Sequence, residues 1–125
     1  MAYRHYSLMP LAFHPRFRIE SKGTFTADGT EQTLVEITRG VHGFSGYLDL
    51  SNLVSGDSVY VRAYVKIKSG GSYLKQGQRE LTGSQSVPLL HILDYPTTPY
   101  GFKITIEQAE GTNRTYDYMF FSEEI

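Results

Sequence analysis

The sequence feature that most constrains the fold is the alternation in Asp57–Lys68, "DSVYVRAYVKIK". Every second residue from Val59 to Ile67 is apolar, and the residues between them are tyrosine, arginine or lysine. A period of two is that of a β-strand with one buried face. The apolar side therefore predicts a core face. The other side, which begins with Tyr60, Arg62 and Tyr64, needs a separate explanation.

The remainder of the chain from Lys22 repeats this pattern between turn signals spaced 8–15 residues apart, with no amphipathic helical window. In "YGFKITIEQAE", for example, Phe102, Ile104 and Ile106 are predicted to point inward. Asp28–Gly29 predicts a tight hairpin turn. These signals predict an all-β fold, an antiparallel β-sandwich of about eight strands. Jelly-roll and immunoglobulin-like topologies both remain open.

The strand that follows the alternating stretch should return antiparallel to it after "SGGS". A two-residue turn at Gly70–Gly71 pairs Ile67 with Leu74 and Val65 with Gln76. The returning segment "KQGQRE" is polar on both faces, so it cannot be a central strand and is predicted to be an edge strand or a loop. The pair is therefore expected to begin in the core near Val59 and to run out to an edge near Ile67.

Residues 1–21 are predicted to be an extended N-terminal arm, and residues 22–125 the β-sandwich domain. Pro10 and Pro15 prevent a continuous helix in the arm. The arm is nevertheless too apolar for a solvated tail, so it should dock on its own domain or on a neighbour. The apolar residues in question include Leu8, Met9, Leu11, Phe13 and Phe17.

Composition excludes several classes of protein. The 125 residues include no cysteine, so disulfides and cysteine-based metal sites are excluded. No segment approaches the roughly 20 apolar residues of a membrane helix. The first residues lack the apolar core of a signal peptide, which predicts a cytoplasmic origin. Net charge is −1, but residues 1–22 hold four basic residues against one acidic residue.

No catalytic, metal-binding or cofactor-binding residue is predicted. His5, His14, His42 and His91 do not have metal-ligand spacing, and His91, in the run "PLLHIL", is predicted to be a hydrogen-bonded core or strand histidine. The spacing of the carboxylates favours no glycosidase pair. The acids considered for such a pair are Glu31, Glu36, Asp49 and Glu107. The protein is therefore predicted not to be an enzyme and to need no cofactor.

Three kinds of partner remain. The basic arm interleaves charge with aromatic rings, as nucleic-acid binders do, but its charges are few and its apolar residues favour protein docking. A glycan could stack on the tyrosines of the sheet, although tryptophan is absent. Contact with another subunit is preferred. The candidate contact residues are Tyr60, Arg62, Tyr64, Leu8, Met9, Leu11, Phe13 and Phe17, and the candidate glycan-binding residues are Tyr47, Tyr60, Tyr64 and Tyr73.

Three segments, "GTFTADGTEQTLVEIT", "GYLDLSNLVSGDSVYVRAYVKI" and "YGFKITIEQAEGTNRTYDYMFF", resemble small β-sandwich virion proteins of phages and archaeal viruses, of the decoration, spike or minor capsid type. The resemblance covers about residues 23–121 and carries no functional motif. It implies a homo-oligomeric structural protein, located in the virion or in the cytoplasm before assembly, whose arm lies across neighbouring subunits. The expected function is therefore non-enzymatic assembly, and the alternative is a carbohydrate- or ligand-binding module.

Overall fold

A computed structural model describes residues 17–124 of the chain, without the side chains of residues 93–95 and 124. This part of the chain contains eight strands and no helix, which confirms the prediction of an all-β sandwich of about eight strands. The strands are β1 (Phe17–Thr26), β2 (Glu31–Ile37), β3 (His42–Asp49), β4 (Ser58–Val65), β5 (Leu74–Thr82), β6 (Leu89–Pro96), β7 (Phe102–Glu110) and β8 (Thr115–Glu124).

The strands form two four-stranded sheets. Sheet A has the order β1-β8-β3-β6, and sheet B has the order β2-β7-β4-β5. The pairs β1–β8, β2–β7, β3–β6 and β4–β5 are all antiparallel neighbours. One long hairpin with its tip between β4 and β5, wrapped into two layers, produces this set of pairs.

The core lies between the sheets and is built from the inward residues of the alternating strands. Phe44 of sheet A lies 4.8 Å from Phe102 of sheet B and 5.5 Å from Phe120, measured between ring centroids. All three rings are buried. Ile104 and Ile106 are buried beside them, so the inward face predicted for β7 is confirmed.

One end of the sandwich is closed by a buried carboxylate, Asp57. Its oxygens accept hydrogen bonds from the backbone N–H of Val54 and Thr112 at 3.1 and 3.2 Å, and from Arg114 Nε at 2.8 Å. Asp57 therefore joins the β3–β4 loop to the β7–β8 loop. The hydrogen bond from Arg114, with the backbone N–H of Val54, holds the pKa of Asp57 below its ordinary value.

The predicted hairpin at Asp28–Gly29 is wrong, although the turn itself is present. Thr30 donates its backbone N–H and its hydroxyl to Asp28 Oδ1, at 2.8 and 2.7 Å. The flanking strands do not pair with each other, because β1 pairs with β8 and β2 pairs with β7. The turn therefore carries the chain from one sheet to the other.

The register predicted for β4 and β5 is also wrong, because the connection is longer than two residues. β4 ends at Val65, which pairs with Leu74, and a bulge follows Ala63. Ile67 consequently lies in the loop and is 68% exposed rather than in the core. The position of β5 at the edge of sheet B confirms the interpretation of "KQGQRE" as an edge strand.

β1 begins at Phe17, so residues 17–21 form the first half of an edge strand in sheet A. Ser21 at the middle of β1 donates its hydroxyl to the carbonyl of Leu34 in β2, at 3.0 Å, and so connects the two sheets at this edge. The part of the predicted arm that precedes residue 17 lies outside the described residues.

Candidate functional site

The outer surface of sheet A carries large apolar side chains that are exposed in the described chain. Phe120 of β8 is buried, so its neighbours Met119 and Phe121 point outward, and register places Ile19 of β1 opposite Phe121. The exposed fractions are 59% for Phe17, 54% for Ile19, 51% for Leu89 and 41% for Met119. We call this surface the apolar face; it comprises Phe17, Ile19, Tyr47, Leu89, His91, Met119 and Phe121.

Aromatic rings connect the apolar face across three strands. The rings of Tyr47 in β3 and His91 in β6 stack with centroids 4.5 Å apart and planes 13° apart. Phe121 in β8 lies 6.1 Å from Tyr47 on the other side. The aromatic residues of the face thus form a connected row across three strands rather than a set of isolated side chains.

A shallow depression of about 360 Å³ lies in the apolar face. Tyr47, Leu89 and Met119 line it, together with Asp49 and Asp117 at its polar side. An apolar floor with a polar rim is the usual composition of a protein–protein contact surface.

The outer surface of sheet B has the opposite character, because its charges are paired with one another. Arg62 Nη1 lies 2.7 Å from Glu107 Oε1 and 3.3 Å from Glu31 Oε1, and its Nε donates to Gln78 Oε1 at 2.8 Å. Tyr64 donates its hydroxyl to Glu31 Oε2 at 2.5 Å. We call this surface the paired face.

The tyrosine rings of the paired face are covered by cations. The guanidinium of Arg62 lies 4.8 Å from the ring centroid of Tyr60. Lys103 Nζ lies 5.2 Å from the ring centroid of Tyr64 and 4.6 Å from that of Tyr73. Burial and a hydrogen bond to Glu36 raise the pKa of Tyr73. These rings offer little free surface to a ligand.

The structure separates the predicted contact residues. Tyr60, Arg62 and Tyr64 lie on the paired face, whereas Phe17 lies on the apolar face of the other sheet. The four remaining candidates, Leu8, Met9, Leu11 and Phe13, lie outside the described residues. Contact between any of these residues and another subunit stays a prediction.

Among the described residues, the structure shows which of the acids considered for a carboxylate pair come together. Of the acids considered, only Glu31 and Glu107 meet, as a cross-strand pair held by Arg62. Partial burial acts to raise the pKa of Glu31, but hydrogen bonds from Thr105 and Tyr64 and the charge of Arg62 lower it further, so it is held ionised. Over residues 17–124, no group of three potential ligands could hold a metal ion.

His91 lies in a strand, which is one of the two positions predicted for it, and not in the core. His91 is exposed on the outer side of β6, because Leu90 and Ile92 on either side of it take the inward positions. Sequence reasoning missed the apolar face as a whole. The signal was present in β6 and β8, whose apolar residues fall on both parities, a pattern typical of strands covered on both faces.

Two antiparallel sheets wrapped from one long hairpin define a β-sandwich. The fold is similar to that in the VP2 subviral particle of infectious bursal disease virus, with a TM-score of 0.51 and 13% identity over 90% of this chain and 33% of that one. The Gx strain of the same virus gives a TM-score of 0.52 and 12% identity, over 89% of this chain and 33% of the viral chain. At this identity the likeness establishes the fold alone.

The sequence is also 30% identical to a formamidase of Methylophilus methylotrophus, over 90% of this chain and 31% of the enzyme. The chain therefore spans about a third of the length of the proteins it matches. No protein-family model matches it. The part of the chain that the structure describes has no helix long and apolar enough to cross a membrane.

Proposed function

We propose that this protein is a non-enzymatic structural subunit that associates with further copies of itself, as a component of a viral capsid or virion surface. The observation that carries the proposal is the apolar face. Monomers rarely expose contiguous apolar patches of this kind without a partner. On the paired face, by contrast, the charged side chains of the domain bind one another.

The strand order supports the viral part of the proposal. The orders β1-β8-β3-β6 and β2-β7-β4-β5 support a jelly roll, in which a long hairpin is rolled into two Greek keys. This topology recurs in capsid proteins and also in lectins and other binding proteins. The topology alone therefore does not favour a structural role, and the apolar face is needed to support one.

Self-association through the apolar face is tested by substitution of its exposed side chains in the full chain. Burial of one large apolar side chain contributes about 1.5–3 kcal/mol. Leu89→Lys and Met119→Lys should therefore each weaken association at least about tenfold, as measured by light scattering coupled to size-exclusion chromatography.

Ile67→Lys is the matched control, since Ile67 is an exposed apolar residue in the β4–β5 loop, away from the apolar face. It should leave the mass of the assembly unchanged. A wild-type chain that is monomeric at micromolar and higher concentrations contradicts the proposal. An assembly that is lost with Arg62→Ala but not with Leu89→Lys places the contact on the paired face, as the sequence alone had suggested.

The carbohydrate-binding alternative has less support. Of the tyrosines predicted to bind a glycan, Tyr47 has its ring stacked on His91. The rings of Tyr60, Tyr64 and Tyr73 lie beneath cations on the paired face. Binding of a glycan that Tyr64→Ala abolishes would restore this alternative.

A second candidate function is supported by the similarity to a third of a formamidase. The chain would then correspond to a β-domain of an amide-hydrolysing enzyme. The structural proposal predicts no release of ammonia when the full chain is incubated with formamide, and release above the buffer rate favours the second candidate.

A further inference from the structure

The two sheets leave a cleft open along one side of the sandwich, between the edge strands β5 and β6. The cleft has a volume of about 300 Å³ and is lined by core residues of both sheets. Protein interiors are close-packed, with few voids larger than a water molecule. The residues that form its apolar floor are Val61, Ala63, Leu90, Ile92 and Ile104.

The cleft exists because β5 does not place large apolar side chains at two of its inward positions. Register places Leu81 opposite Val59, where it is buried, but Arg79 stands opposite Val61 and Gly77 opposite Ala63. A long cation and a glycine thus occupy two positions that face the core. The space between Ala63 and β6 is therefore open to an apolar side chain from elsewhere.

The two edges that border the cleft differ in their capacity to pair with a further strand. β5 carries charged residues at Lys75, Arg79 and Glu80, which discourage pairing. β6 begins with the uncharged residues 89–92, and its edge is the end of sheet A. An incoming extended segment would therefore hydrogen-bond to β6 and place every second side chain in the cleft.

The segment Ser7–Phe13, "SLMPLAF", has the composition that this place requires. It carries no charge, and Met9, Leu11 and Phe13 fall on one parity. In extended form these three side chains point to the same side. A proline such as Pro10 is tolerated in an edge strand, where its missing N–H can face solvent.

Chain length decides which copy supplies the segment. β1 and β6 are the two opposite edges of sheet A, so a strand added to β6 lies four strand spacings, about 19 Å, from β1. Phe13 precedes the start of β1 at Phe17 by four residues, which span at most about 14 Å. Phe13 of the same chain therefore cannot reach the cleft, whereas Phe13 of a second copy can.

We propose that residues 7–13 of one copy form a fifth strand on β6 of a second copy, with Met9, Leu11 and Phe13 filling the cleft. This inference rests on the proposed self-association and names its partner segment. The added strand also extends sheet A beside Leu89 and His91, so arm exchange and contact through the apolar face are compatible in one assembly.

Two full-length variants test the exchange. One lacks the apolar side chains of the arm, and the other lacks the open cleft. The arm variant carries Met9→Asp, Leu11→Asp and Phe13→Asp. The cleft variant carries Gly77→Phe, which fills the cleft from β5; Gln76→Phe, at the exposed neighbouring position, is its control. The association constant of each variant alone should be at least tenfold lower than that of the wild type. An equimolar mixture of the arm variant and the cleft variant should form a 1:1 complex.

Disulfide capture provides a measurement that does not depend on the folding of the Gly77→Phe variant. Because the chain has no cysteine, Leu11→Cys and Gly77→Cys chains carrying different tags should form a mixed disulfide under mild oxidation. Arg18→Cys replaces Leu11→Cys in the control and should give none.

Three results would overturn the inference. If the wild-type chain is monomeric, the proposed function fails with it. If the wild-type assembly persists in both the arm and the cleft variants but is lost with Leu89→Lys, self-association stands and arm exchange is wrong. If Leu11→Cys and Gly77→Cys in one chain give a disulfide-linked monomer and no mixed dimer, the arm occupies its own cleft.

Discussion

At the scale of single residues, Asp57 shows what alternation cannot predict. The pattern of β4 places its inward residues correctly from Val59 to Ala63, yet it says nothing about a carboxylate whose partner, Arg114, is 57 positions away. Such partners become visible only when the strand order is known. The alternation likewise does not predict the raised pKa of Tyr116, because burial and the charge of Asp57 raise it to about 12.

Asp57 should make the stability of the fold depend on pH in the acid range. Because its folded-state pKa lies below the ordinary value of 3.8, its stabilising contribution is complete above about pH 4 and is lost as the pH falls through the lowered pKa. Asp57→Asn should therefore lower Tm by several degrees at pH 7, and the difference from wild type should shrink below pH 4. Glu110→Gln, at an exposed carboxylate, is the control, and an equal loss of Tm in both variants contradicts this role of Asp57.

At the scale of elements, the sequence predicted where the strands lie better than it predicted which strands pair with one another. The existence of β4 and the polar character of β5 follow from period and composition. Their register does not, because a bulge after Ala63 and an eight-residue connection replace the two-residue turn. The apolar face was missed for a similar reason, since it arises only when β6 and β8 join the same sheet.

The close contact between β3 and β8 predicts a specific sensitivity to added volume. A Cβ at Gly46 would lie 2.1 Å from Phe120 Cδ1 and 2.7 Å from the carbonyl oxygen of Met119. Gly46→Ala should therefore destabilise the protein by about 1–3 kcal/mol in urea unfolding. Gly43→Ala in the same strand is the matched control, because its Cβ would have only an ordinary contact at 3.9 Å from Glu123 O. Similar losses of stability in Gly46→Ala and Gly43→Ala would contradict a specific clash at Gly46.

At the scale of the whole molecule, the wrapped hairpin determines how the chain can fold. Among the described strands, only β4 and β5 are both consecutive in sequence and paired. All other pairs require the closure of longer loops, which slows folding. We expect the β4–β5 hairpin to form early and the β1–β8 pair to form late.

Two glycines that both have positive φ and open surroundings distinguish these stages. Gly70 in the β4–β5 loop and Gly56 in the β3–β4 loop both have positive φ, 70° and 93°, and a Cβ at either meets nothing within 4 Å. Alanine at such a position costs about 1–2 kcal/mol. Gly70→Ala should mainly slow refolding, and Gly56→Ala should mainly speed unfolding, in stopped-flow tyrosine fluorescence. Equal effects of both variants on the refolding rate would contradict an early β4–β5 hairpin.

The pairing of β1 with β8 also has a consequence for gene architecture. Phe17 stands directly opposite Glu123, so the strand that opens the domain and the strand that closes it meet at one end of one sheet. A domain with such neighbouring ends can be spliced into a surface loop of a host protein without distortion of either. A wrapped hairpin with neighbouring ends can therefore lie within a longer chain, and the proteins to which this one is similar are about three times as long.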